Sequence, residues 1–187
     1  MTERPFVLQS SKRLLHRSGL FVTEPSQFTL LCVQVLQPKA EAAESFADRI
    51  ADPIEAVAPG PNATAFSHGG LWLWSAPGEW LVMIPEGTKD AVLNALQPSE
   101  HRQLCVVHDV TDGYAILNLY GEKVRQILAR GSSVDFHPSR FADGDCCVTR
   151  LAGIRVLLVQ LAGESLLIAD VSYSDYLQKW LEAVSID

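Results

Sequence analysis

Apolar and β-branched residues fall in short runs along this chain, and proline or glycine closes most of them. Phe28 to Leu36 (FTLLCVQVL) predicts a strand ended by Pro38. Lys39 to Ala51 favours helix, with Ala43, Phe46, Ala47 and Ile50 as its apolar stripe. Pro53, Pro59, Gly60 and Pro61 predict a loop lasting to about Ala65. Leu71 to Trp74 and Trp80 to Ile84 are strand-like, and the turn residues between them predict a hairpin. Ala91, Val92, Ala95 and Leu96 then line a short helix, with Thr88 as candidate N-cap and Pro98 as its stop. Gln103 to Val110 is the next strand.

The same grammar returns from Tyr114. Tyr114 to Tyr120 predicts a strand that Gly121 ends, and a helix follows over about 121–130, with Val124, Ile127 and Leu128 inward. A loop holding Asp135-Phe136-His137-Pro138 leads to strands near 146–151, 154–161 and 165–171. A last helix spans about 173–184, with Tyr176, Leu177, Trp180, Leu181 and Val184 on its apolar face and Ser172 or Ser174 as cap. Residues 1–27 show no sustained period. There Lys12, Arg13, His16 and Arg17 alternate with Leu14, Leu15, Leu20 and Phe21, so the segment is expected as an arm, either a loose tail or a segment that orders against a partner.

The two halves repeat. Ala76-Pro77-Gly78-Glu79-Trp80-Leu81 aligns with Leu161-Ala162-Gly163-Glu164-Ser165-Leu166, and each half has a strand and helix before this hairpin and a helix after it. The predicted fold is therefore α+β: two ferredoxin-like split β-α-β halves, about 28–110 and 113–187, forming one domain preceded by the arm.

Composition narrows the function classes. Fifteen basic against 22 acidic residues give a net charge of −7, which removes the general electrostatic reason to bind nucleic acid. No run approaches the roughly 18 apolar residues of a membrane span, and the N-terminus has no apolar signal core. Cys32, Cys105, Cys146 and Cys147 make no CxxC, which suits buried thiols in a reducing compartment, so a cytoplasmic location is expected.

Candidate chemistry is sparse. Cys105 and His108, three apart in a strand, point to opposite faces and do not form a nucleophile–base pair. Asp109, Asp112 and Asp135 are candidate carboxylates, with strand-end and turn capping as the simpler role. Cys146-Cys147 lacks the second ligand pair of a zinc site. His137 sits in a loop without a neighbouring base. Trp72, Trp74 and Trp80 belong to one hairpin and are either core or partner surface. Catalytic, cofactor and metal residues are thus expected to be absent from this chain. Leu14, Leu15, Arg17, Trp72, Trp74, Trp80 and His137 are its candidate interface residues.

Taken in order, Gly78-Glu79-Trp80-Leu81, Asp109-Val110-Thr111-Asp112, Leu117-Asn118-Leu119-Tyr120-Gly121, Ile127-Leu128-Ala129-Arg130-Gly131, Asp135-Phe136-His137-Pro138 and Thr149-Arg150-Leu151 resemble the gamma subunits of heterotetrameric sarcosine oxidases. The match covers most of 70–160, and it departs from the family pattern at Gly78, where an acidic residue is usual. The resemblance implies the fold of the folate-binding domain of aminomethyltransferases. It also implies alpha, beta and delta partner subunits, with FAD, FMN, NAD, zinc and tetrahydrofolate held by those subunits and none by this chain. The expected role is an accessory one in a complex that demethylates sarcosine oxidatively to glycine. The alternatives are a stand-alone folate-binding or aminomethyltransferase-like protein and a homo-oligomeric structural protein.

Overall fold

A computed structural model describes residues 9–17, 19–35, 58–67, 69–96 and 105–185. The helix predicted over 39–51 lies outside them. In chain order the elements are β1 (Gln9–Arg17), β2 (Leu20–Ser26), β3 (Phe28–Val35), β4 (Thr64–Ser67), β5 (Gly70–Ala76), β6 (Glu79–Pro85), α1 (Lys89–Leu96) and β7 (Cys105–Asp109). A 3-10 turn over Thr111–Gly113 leads into β8 (Tyr114–Tyr120), α2 (Val124–Ala129), β9 (Cys146–Leu151), β10 (Ile154–Leu161) and β11 (Glu164–Asp170). A second 3-10 turn, Val171–Tyr173, precedes α3 (Ser174–Val184). These residues divide into two units, one made of those within 27–111 and one made of those within 9–26 and 112–185.

The first unit is a five-stranded antiparallel sheet in the order β4-β5-β6-β3-β7. Four of those strands, β5-β6-β3-β7, have the ferredoxin-like order, in which the first strand in sequence lies between the third and the fourth. Leu31, Val33, Trp72, Val82 and Ile84 form the core on one sheet face, and Val92 and Leu93 of α1 pack onto it. The edge strand β4 begins at the end of the predicted loop and runs into a stretch where the sequence predicts no element. Its four residues (TAFS) include a half-exposed Phe66, too short and too mixed to show a period of two. The β5–β6 turn is Pro77-Gly78, with Gly78 at φ 74° as such a turn requires. Thr88, the predicted N-cap, donates its hydroxyl back to the Pro85 carbonyl at 2.7 Å.

The second unit is a six-stranded antiparallel sheet, β1-β2-β8-β11-β10-β9. Here β8, β10 and β11 correspond to β3, β5 and β6, and β9 corresponds to β4. The place beside the first strand, taken by β7 in the first unit, is taken here by β2. Residues 9–26 are therefore not an irregular arm: they form a hairpin that completes this sheet. Their alternation is hidden because β1 slips register twice, between Ser10 and Lys12 and between Arg13 and Leu15, and each slip reverses which side chains face the core. Pro25 is tolerated because β2 meets β8 only through Phe21–Thr23, so its missing N–H lies beyond that ladder.

Leu20, Val22, Leu117, Leu119, Leu167 and Ala169 face one side of this sheet and are covered by Val124, Ile127 and Leu128 of α2 and Leu177 and Leu181 of α3. Tyr176, expected on the apolar face of α3, is instead 47% exposed, and its hydroxyl donates to the Ala152 carbonyl at 2.9 Å. Neither predicted serine caps α3 with its side chain. Asp170 caps the preceding 3-10 turn by accepting from the Ser172 N–H at 2.9 Å.

The repeat extends to hydrogen bonding. Glu79, after the β5–β6 turn, accepts from Gln34 of β3 at 2.7 Å and from the Ser75 hydroxyl. Glu164, after the β10–β11 turn, accepts from Asn118 of β8 at 2.8 Å. In each unit the hairpin glutamate is tied to an amide on the first strand, which fixes the register of the third strand against it.

Candidate functional site

The three hairpin tryptophans come together in the first unit. Trp72 (2% exposed) and Trp80 (5% exposed) are core, Trp74 is half-buried beside them, and Trp74 and Trp80 are cross-strand partners. The Trp80 indole N–H donates to the Pro59 carbonyl at 2.9 Å, a buried bond that fixes the 58–60 segment. As surface anchors Trp72 and Trp80 are excluded: their rings are already covered by this unit's own residues.

Leu14, Leu15 and Arg17 come together in the second unit. Both leucines are half-buried, and with Val22 and Leu181 they floor a groove of about 270 Å³ whose rim is Asp175, Gln178, Lys179 and Glu182 of α3. Arg17 spans one side of it, 3.2 Å from Glu182. The sequence singles out the β1 half of this groove and misses the α3 half, because rim residues on a helix look like any solvated face until β1 is placed beside them. That volume falls just below the roughly 300–1,000 Å³ of small-molecule sites, whereas an apolar floor with a charged rim suits side chains of another polypeptide.

His137 is exposed in the 135–141 loop. Its backbone N–H donates to Asp135 at 2.9 Å, and its ring Nδ1 lies 2.8 Å from the Ser139 hydroxyl. Arg125 of α2 holds this loop by donating to the carbonyls of Phe136 and Phe141 at 2.7 and 2.8 Å. Phe136 and Phe141 are buried, edge to face, with centroids 5.7 Å apart. The Asp135-Phe136-His137-Pro138 motif is thus explained by loop closure.

The remaining candidates are engaged in the same way. Asp109 accepts from the Thr111 N–H at 3.0 Å, from the Thr111 hydroxyl at 2.6 Å, and from Lys89. The Lys89 and Thr111 hydrogen bonds hold its pKa down at about 2. Thr111 in turn accepts from the Leu30 N–H at 2.9 Å, so Asp109-Val110-Thr111 closes the end of the first sheet. Asp112 is exposed on the 3-10 turn. His108 is exposed on edge strand β7, in register with Cys32 of β3. Burial, and then Glu79, push the Cys32 thiol up to about 11. A thiol held protonated at neutral pH is a poor nucleophile. Burial, then Asp145, does the same to Cys147, while Cys146 is fully buried. Among the described residues no helix is long and apolar enough to cross a membrane.

Comparison with known proteins adds the lineage. The model of the sarcosine oxidase gamma subunit family matches residues 42–187. The chain belongs to that family. It is 30% identical over 116 residues to sarcosine oxidase subunit gamma of Corynebacterium sp. (strain P-1), covering 61% of this chain and 56% of that one. Its identity to the subunit gamma of an Arthrobacter sp. is also 30%, over 117 residues, with 62% and 56% covered. The matched part of this chain thus spans little more than half the length of these relatives. Among solved structures, the heterotetrameric sarcosine oxidase from Corynebacterium sp. U-96, in complex with pyrrole 2-carboxylate, aligns with a TM-score of 0.76 at 20% identity, over 92% of this chain and 87% of that chain. Aminomethyltransferase T of the glycine cleavage system from Bartonella henselae aligns with a TM-score of 0.61 at 14% identity, over 88% of this chain and 46% of that one. Both likenesses agree with the fold described above, α+β with two antiparallel sheets.

Proposed function

We propose that this chain is the accessory subunit of a sarcosine oxidase-like complex, one that demethylates sarcosine oxidatively to glycine. It assembles in the cytoplasm with alpha, beta and delta subunits. FAD, FMN, NAD, zinc and tetrahydrofolate belong to those partners in this proposal, and this chain contributes binding surface and geometry. Membership of the gamma subunit family, over residues 42–187, carries the proposal. The side-chain chemistry supports it: Asp109 and Asp135 are occupied with backbone caps, and the thiols of Cys32 and Cys147 are held protonated. A stand-alone folate-binding protein would need a carboxylate free to meet the pterin; of the three candidates, Asp109 and Asp135 already have partners and Asp112 stands exposed on a 3-10 turn.

Co-expression with the neighbouring subunits, with the tag on this chain, tests the proposal. A yellow complex that turns over sarcosine is the expected result. A colourless chain, alone by mass in the presence of those subunits, overturns it.

A further inference from the structure

The second unit has an edge whose two faces differ in chemistry. β1 is terminal in the six-stranded sheet, and among the described residues its strand neighbour is β2. From Leu15 to Arg17 its register with Val22 to Leu20 is regular, as pairing with a further strand needs. Toward the helices, Leu14 and Leu15 floor the groove beside α3. On the opposite face stand Arg13, across from Thr23, and His16, across from Phe21. Both are exposed. The His16 ring ends an aromatic ladder that crosses three strands. It stacks on Phe21 with centroids 4.3 Å apart, and Phe21 stacks on Tyr120 at 5.0 Å. β1 itself (QSSKRLLHR) contains no carboxylate, in a chain whose net charge is −7.

We propose that β1 receives an added strand from another subunit: an extended segment in which apolar side chains, set into the Leu14–Leu15 groove, alternate with carboxylates that meet Arg13 and His16. The inference rests on the accessory-subunit reading and assigns that interface. Strand addition supplies main-chain hydrogen bonds, and alternate side chains read the two faces. A second copy of β1 is a poor occupant. Its Lys12, Arg13 and Arg17 would face the same cations across the pair and repel them. Carboxylates complement this edge where another basic strand does not.

The test compares the isolated full chain with the assembled complex. Amide hydrogen exchange in β1 is expected to slow by roughly tenfold or more on assembly, as new ladder bonds form. Arg13→Glu with His16→Glu is expected to weaken assembly by roughly tenfold at low ionic strength, and by less in high salt. A photo-crosslinking residue at position 16 is expected to capture an extended segment of another subunit with the alternating pattern. Capture of a second copy, or of this chain's own residues, overturns the assignment. A complex that forms with β1 exchange unchanged overturns it too, while leaving the accessory role standing. If no complex forms with the wild-type chain, the accessory role fails and the inference falls with it.

Discussion

Replacing Gly121 by alanine probes how the N-terminal hairpin is attached to the second sheet. A Cβ at Gly121 would lie 2.3 Å from the Gly19 carbonyl oxygen and 2.9 Å from its carbon. Both atoms are backbone. The Gly19 carbonyl also accepts from the Lys123 N–H at 3.1 Å, so rotating it away sacrifices that bond. Gly121 moreover holds φ at 121°, where a side chain is strained. Strain alone costs about 1–2 kcal/mol, judged by the penalty for a side chain in left-handed backbone. The steric overlap adds about 1–3 kcal/mol by analogy with overpacked cores. Gly163 separates the two effects, because it has φ 82° and nothing within 4 Å of its added Cβ. Gly163→Ala should therefore show the strain alone.

The assay is urea unfolding followed by circular dichroism in the otherwise unchanged chain, with hydrogen exchange across 20–26. Gly121→Ala should be less stable than Gly163→Ala by about 1–3 kcal/mol, and its loss of protection should be largest in β2 and β1. Equal destabilisation, within about 0.5 kcal/mol, would refute the close approach of Gly19 to Gly121 as a constraint on the hairpin.

Asp109 has a folded pKa below its usual 3.8, at about 2, so its contribution is present above pH 4 and is lost as pH falls toward 2. Asp109→Asn should flatten the stability profile across that window, as acid titration of the first unit will show, and the effect should be small because the pair is partly exposed. Cys32 and Cys147, with pKa values near 11, should alkylate slowly at pH 8 in the folded chain and rapidly once it is unfolded, as read by mass spectrometry. Arg125→Ala removes both donors to the Phe136 and Phe141 carbonyls and should cost about 2 kcal/mol in unfolding free energy, with faster exchange confined to the 135–141 loop.

The repeat could be read from sequence because its punctuation is local. Gly78-Glu79 and Gly163-Glu164 mark the same hairpin twice, and β6 and β11 begin at those two glutamates. The tryptophan hairpin was likewise visible, but its burial was not. Period two tells which residues share a face and is silent on what covers that face, so the core reading of Trp72, favoured by its bulk, is decided only by the packing of β3 and α1 on the hairpin. β1 and β2 escaped for a different reason. β2's second partner, β8, is distant in sequence, and the two register slips in the β1–β2 pairing erase the alternation that a lone strand would show. The groove shares that origin: Leu14 and Leu15 floor it only when α3, far along the sequence, lies beside them.

The position of β2 also governs how the chain is made. β2 leaves the ribosome well before its neighbour β8, which begins only at Tyr114, after every strand of the first unit. Until then the hairpin has no sheet to join, and afterwards β8 has an unpaired flank until the hairpin arrives. Such late pairing slows folding and favours capture by foreign strands in the interval. A truncated gene starting at Phe28 would make that interval permanent. Its product should be recovered chiefly as aggregate, even though every strand of the first unit and both α2 and α3 are present.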